Sequence, residues 1–338
     1  MSAAAAGRHG RSRPDACSVL WDDAQASALG SAPSATFWVA LEQNGPWGAR
    51  AATQSHLDPG LGGSLDQMCQ AAAGRFILIR RPGSHSDGRP GTHLDDRPKD
   101  SKTRHTHRVY VAGGLAGRPW LLEADLDDPA RLSGLATAGL GGNDTDTVQG
   151  ALPELRRSPG PVLMICTNSR RDVCCSVRGR PVALATAARR PGQVWECSHT
   201  GGHRFAPTGV LLPHGQAFAR LFTESAVAAI DAAVRCEVPT GLLGATYDRG
   251  RSHLSAPGQA AESVVRQQIN ELSLIALSTQ AVPGPDRKNA WQCRVSHVDG
   301  RHWDVVAIRG PRGGDLPESC GKEPVPTWQW SVVSDLGR

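Results

Sequence analysis

The stretch from Cys166 to Gly209, CTNSRRDVCCSVRGRPVALATAARRPGQVWECSHTGGHRFAPTG, constrains this chain more than any other feature. It holds four thiols (Cys166, Cys174, Cys175 and Cys197) and an H-T-G-G-H run carrying His199 and His203. The apolar PVLMICTN, Pro161 to Asn168, reads as a β-strand running into a polar loop, and VWECS, Val194 to Ser198, as a second short strand. Between them a helix is predicted from about Pro181 to Arg190. Thiolates and imidazoles gathered after a strand point to a metal site.

Two cysteines and two histidines fit either a structural Zn²⁺ or a [2Fe–2S] cluster with mixed ligands. Zinc modules usually set their cysteines two to four residues apart on a knuckle. Here eight residues separate Cys166 from Cys175, a loop wide enough to wrap something larger than one ion. The adjacent Cys174 offers a second thiolate at the same step. Cys197 lies two residues before His199 in a predicted strand and reads as a core or supporting thiol. The remaining cysteines, Cys17, Cys69, Cys236, Cys293 and Cys320, read as buried apolar thiols.

Around this stretch the chain divides by pattern. Residues 1–16 read as a disordered tail, and 17–157 as an α/β domain. Its predicted strands are FWVALE, RFILIRR, RVYVAGG and PWLLEADL, and its helix is GSLDQMCQAAAG. A polar, Gly/Pro-punctuated loop is expected from Pro82 to His107, with His93, His105 and His107 solvated in it. Residues 158–245 form the ligand-bearing domain. It continues past the second strand with a hairpin, Gly209 to Leu221, turning at Pro213–Gly215 with His214 exposed, and an amphipathic helix from Thr223 to Glu237. The resulting β-α-β-β-β-α order is that of a thioredoxin-like layer. The first domain repeats much of it, so two related halves are expected, only the second keeping the Cys/His set. Residues 246–338 form an extension with a helix from Ala256 to Ser273 and alternating strands, where Trp328 and Trp330 share a face for packing.

The formal net charge is +5, from 37 Lys and Arg against 32 Asp and Glu, too small to argue for nucleic acid. Its placement is uneven. Between Cys166 and Phe205 stand Arg170, Arg171, Arg178, Arg180, Arg189, Arg190 and Arg204, against only Asp172 and Glu196. Such a positive collar suits an acidic redox partner protein. No stretch reaches the ~18 apolar residues of a membrane helix. An odd set of nine cysteines is unlike a disulfide scaffold, so a reduced, cytoplasmic setting is expected.

CTNSRRDVCC followed by WECSHTGGHRF resembles the sucrase/ferredoxin-like family, as do the RRPG at Arg80–Gly83, LLPHG at Leu211–Gly215 and GQAAE at Gly258–Glu262. The resemblance implies a thioredoxin-like ferredoxin domain preceded by a second α/β domain, itself a degenerate thioredoxin-like unit. It also implies a [2Fe–2S] cluster with Cys166 and Cys175 on one iron and His199 and His203 on the other. Neutral imidazoles in place of two thiolates leave such a centre near zero net charge, so it accepts an electron more readily, and a ring N–H can release a proton on oxidation. Gly201 and Gly202 would turn the chain tightly enough to bring both rings to one side. Trp195, Phe205 and Val210 would supply an apolar wall. The implied function is one-electron transfer. A structural zinc-binding module and a thiol–disulfide protein using Cys174–Cys175 are the alternatives. No paired carboxylates support a glycosidase.

Overall fold

A computed structural model describes residues 13–84, 106–284 and 288–334. The expected loop histidines His93 and His105 lie outside these residues, as do residues 1–12 of the expected tail.

The N-terminal half runs α1 (Cys17–Asp23), β1 (Trp38–Glu42), α2 (Pro59–Ala71), β2 (Arg75–Arg80), β3 (His107–Gly113), β4 (Trp120–Leu126), α3 (Thr145–Ala151) and β5 (Arg156–Arg157). The second half runs β6 (Val162–Cys166), α4 (Val173–Arg189), β7 (Val194–Cys197), β8 (Gly209–Leu212), β9 (Gln216–Phe218), α5 (Thr223–Ala233) and β10 (Asp248–Arg251). All ten strands form one sheet in the order β10-β9-β8-β6-β7-β2-β1-β3-β4-β5. The protein is therefore of the mixed α/β class that the sequence indicates.

The two halves are built alike. β1 pairs with β2 in parallel and with β3 antiparallel, and β3 pairs with β4. Likewise β6 pairs with β7 in parallel and with β8 antiparallel, and β8 pairs with β9. The halves meet where β2 runs antiparallel to β7, with Ile79 opposite Cys197 and Arg80 opposite Glu196. At this seam the Arg80 guanidinium donates to the Glu196 carboxylate at 2.9 Å, and both side chains are buried. Thr167 Oγ1 donates to the same carboxylate at 2.8 Å, so the buried charge is well solvated by protein groups. Central strands such as β1 and β6 are buried along their full length, which explains their unbroken apolar runs.

The extension adds α6 (Ala256–Gln268) and an antiparallel meander of β11 (Leu277–Pro283), β12 (Ala290–His297), β13 (His302–Leu316) and β14 (Val325–Ser334). α6 is clamped to the main sheet by Glu262, which accepts from Arg251 Nε at 2.7 Å and Nη2 at 2.6 Å. Arg266 and Thr279 complete this buried network. The GQAAE run thus joins the extension to strand β10.

Four expectations need correction. The helix predicted from Pro181 begins a full two turns earlier, because Asp172 caps it: its Oδ1 accepts the Cys174 N–H at 2.8 Å. Pro181 sits inside the helix, where it removes one backbone hydrogen bond without ending the element. His107 is not a loop residue but opens β3, with Nδ1 2.8 Å from the Glu42 carbonyl. His214 is buried, since Ser252 hydrogen-bonds over the β8–β9 turn through its N–H to Gly215 O at 2.8 Å. Trp330 packs against Trp291 at 5.1 Å between ring centroids, as expected, whereas Trp328 on the same strand is exposed.

Candidate metal centre

Cys166 is the last residue of β6, and Cys175 lies in the first turn of α4, so a strand end and a helix start bring the two thiols together. Both are buried. The Cys166 thiol is held well below the ordinary thiol range, first by its hydrogen bond with Cys175 and then by His199, against the effect of burial. The Cys175 thiol is correspondingly pushed up by Cys166 and by burial.

The histidines follow β7. Gly201 and Gly202 both adopt φ +67°, the left-handed region that a side chain resists, so the chain turns sharply between the two rings. The rings of His199 and His203 lie 6.4 Å apart and 28° from parallel. His203 Nε2 sits 2.6 Å from the carbonyl oxygen of Glu318. A carbonyl only accepts, so the proton is on Nε2 and the lone pair is on Nδ1. Burial lowers the His203 pKa, with Asp172 opposing, and keeps the ring neutral. The Nδ1 atoms of His199 and His203 are both enclosed and have no hydrogen-bond partner. For His203, a buried lone pair left without a donor is what a metal-ligating histidine looks like when its other ring nitrogen donates to a carbonyl.

Sequence reasoning missed the residue that fixes this turn. Arg249 of β10 is fully buried and donates from Nη1 to Thr200 O at 3.2 Å and Gly201 O at 3.1 Å. Its Nε reaches Ser31 Oγ at 3.1 Å, and its Nη2 donates to Ser31 O. A Cβ on Gly202 would come within 2.5 Å of this guanidinium, a second reason for glycine there. Burial lowers the Arg249 pKa to about 9. The sequence carries no signal for this role because Arg249 lies almost fifty residues beyond the turn it holds.

The apolar surroundings only partly match expectation. Trp195 and Val210 share one buried cluster with Cys166, Cys175 and Cys197. Phe205 instead packs with Trp21 and Ala219. Cys197 is a core thiol whose pKa is raised by burial and by Cys166. The arginine collar is also thinner than its sequence suggests. Arg178 is buried against Asp22 at 2.6 Å, Arg190 pairs with Asp231, and Arg180 and Arg204 are half-buried, leaving Arg170, Arg171 and Arg189 exposed.

The chain belongs to the sucrase/ferredoxin-like family. The family's pattern matches residues 29–242, which takes in strands β1 to β9 and every residue of the H-T-G-G-H turn. No curated protein and no solved structure matches the chain. Among the described residues no helix is long and apolar enough to cross a membrane.

A further group of donors stands beside this site. Cys17, Asp172, Cys174 and Cys320 place their ligand atoms within 4.8 Å of one another and are able to hold a metal ion. Cys17 and Cys320, which read as inert core thiols, thus have each other and Cys174 as neighbours. Cys174 therefore faces away from Cys166: its Sγ lies 3.6 Å from Cys17 Sγ and 3.1 Å from Cys320 Sγ. Adjacent residues on a helix point about 100° apart, and this separates the two vicinal thiols into different groups.

Proposed function

We propose that this protein is a one-electron carrier whose [2Fe–2S] centre is held by Cys166, Cys175, His199 and His203. The observation that carries this reading is the pair of buried, unpartnered Nδ1 atoms on His199 and His203, beside two buried thiols of which one is strongly acidified. The donor set suits the group: two thiolates and two neutral imidazoles offset the charge of an oxidised two-iron core. Such a centre, when bound, supplies reversible transfer of single electrons at a higher potential than an all-cysteine one.

The chain's own residues prepare the site. Asp172 and the helix start fix Cys175, Arg249 fixes the backbone between the two histidines, and Glu318 O holds the His203 proton on Nε2. The core packed around Trp195 and Val210 keeps water from the Cys166 side. Arg170 and Arg171, exposed just ahead of α4, offer a positive rim for an acidic redox partner.

Iron and acid-labile sulfide in anaerobically purified protein test the cofactor. Two of each per chain with visible charge-transfer absorption are expected, and both are expected to vanish in Cys175→Ser while surviving in the remote Cys69→Ser. Iron-free protein with intact fold would contradict the reading. Reversal of both arginines to glutamate is expected to slow reduction by an acidic partner at low ionic strength, and an unchanged rate would remove the docking role.

A further inference from the structure

The second donor group is independent of the iron–sulfur reading, and we propose that it is a structural zinc site in which the Cys17, Cys174 and Cys320 thiolates and the Asp172 carboxylate hold one Zn²⁺. The three Sγ atoms form a triangle with sides of 3.6, 3.6 and 3.1 Å. Asp172 brings its oxygens to 3.7 and 3.9 Å from Cys17 Sγ. Tetrahedral zinc with Zn–S of about 2.3 Å sets its sulfurs roughly 3.8 Å apart and its sulfur–oxygen edges at roughly 3.5 Å. Two sulfur edges are near that value, and the edge from Asp172 Oδ1 to Cys17 Sγ, at 3.9 Å, closes by about 0.4 Å on binding. The third, between Cys174 and Cys320, opens by about 0.7 Å on binding. Cys320 is free to make that movement, being half-buried on the connection between β13 and β14, while Cys17 and Cys174 are fully buried.

The surroundings have the features of a closed structural site. Asp172 is oriented by three donors: the Cys174 N–H at 2.8 Å on Oδ1, and Ser319 Oγ–H at 2.8 Å and the Cys320 N–H at 2.9 Å on Oδ2. Each carboxylate oxygen has about two lone-pair sites, so Oδ1 keeps one for the ion. Four protein donors leave no open position, which is the arrangement of structural rather than catalytic zinc. All donor atoms fall within 4.8 Å of one another, a space for a single ion. A cleft of about 230 Å³ lined by Val173, Val177, Cys174 and Cys320 opens beside the site, with Arg13 and Asp15 also on its wall, and gives the ion a path in.

The ligands come from places far apart in the chain, with 157 positions between Cys17 and Cys174 and 146 between Cys174 and Cys320. One ion therefore ties the first helix and the β13–β14 connection to the start of α4. That connection is also what reaches the iron-site histidine: Glu318 O accepts from His203, two residues from Cys320, and Trp21 Nε1–H of α1 donates to Pro317 O at 2.9 Å. Zinc at this place holds the β13–β14 connection against the start of α4. Binding displaces the thiol protons, so affinity rises with pH.

The test uses the full-length chain purified with reductant. Zinc content of one per chain is expected, lost in Cys17→Ser and in Cys320→Ser, with iron unchanged. Ser319→Ala, which removes one bond orienting Asp172, is expected to weaken zinc binding by about tenfold or more. Should the cysteine variants fail to fold, Co²⁺ titrated into zinc-stripped wild-type protein still decides. One equivalent giving the absorption of tetrahedral cobalt bound to thiolates, displaced by Zn²⁺, is expected. Absence of that spectrum, zinc that persists in Cys320→Ser, zinc lost only in Cys166→Ser, or a Cys174–Cys320 disulfide in reductant-purified protein would each overturn the zinc site. None of these results bears on the iron content, so the two sites fail or stand separately.

Discussion

The two halves of the large sheet share one strand order and one helix placement, yet they differ at the same structural address. β1 ends on Glu42 where β6 ends on Cys166, and each following helix is capped by an aspartate, Asp58 in one and Asp172 in the other. Glu42 accepts the Arg108 N–H at 3.1 Å and sits 3.6 Å from Arg81, so among the described residues that strand end of the first half ties neighbouring strands together. In the second half it presents a buried thiol to Cys175 and His199. The architecture is thus a frame used twice, and the chemistry depends on a few residues at strand ends and in one turn. The extension adds to the contrast, because the β13–β14 connection closes over the second half and supplies Glu318, Ser319 and Cys320 there.

The comparison can be broken most severely at the seam. Arg80→Ala deprives the buried Glu196 of the guanidinium that faces it, and a loss of about 3–5 kcal/mol is expected, read as a lowered midpoint in denaturant. Because the seam joins both halves, a variant that melts only one of them would show that the halves fold separately. An effect of similar size is expected from Arg249→Met, which frees Thr200 O, Gly201 O and both acceptors of Ser31. Loss of buried hydrogen bonds to a charged group costs about 1.5–3 kcal/mol each at most, and the more telling readout is iron retention. Iron is expected to fall in this variant but not in Glu42→Gln, the change at the matching strand end of the first half.

Acid sharpens the same contrast. Burial, with Arg251 and then Arg266 adding, lowers the His214 pKa to about 4, and burial with Arg251 lowers His253 to about 4. Both are on the second-half side. The unfolded chain takes up these protons from about pH 6.5 downward while the folded chain does not, so stability is full above that pH and declines as pH falls towards 4. Glu262 extends the decline. Although burial opposes it, Arg251 and Arg266 hold this carboxyl at about 2, and its contribution is lost as pH falls below about 4.5. Denaturant midpoints measured from pH 8 to pH 4 check the direction; a flat profile would mean that the two histidines are accessible to protons in the folded state.

Much of the frame was legible in the sequence. The runs FWVALE and PVLMICTN are buried on both sides, as is the Ile77–Ile79 centre of RFILIRR, so their apolar character was continuous. The β-α-β-β-β-α order of the second half followed from such runs. What escaped was whatever depends on contacts distant in sequence. Pro181 masked the true start of α4, because a proline at the ninth position looks like a helix beginning. Arg249 gave no local pattern. Cys17 and Cys320, separated by 303 positions, looked like isolated apolar thiols until folding set them 3.6 Å apart. His214 sat in a turn motif that is polar by composition but covered in the fold.

Electron paramagnetic resonance of the reduced protein, alongside His199→Cys and His203→Cys, tests the central claim most directly. A spectrum with the low average g value of a histidine-ligated two-iron centre is expected for the native chain, moving towards that of an all-cysteine centre in each variant. A spectrum unchanged by both substitutions would contradict the assignment of the two histidines, and no paramagnetic signal in reduced protein would contradict the cluster itself.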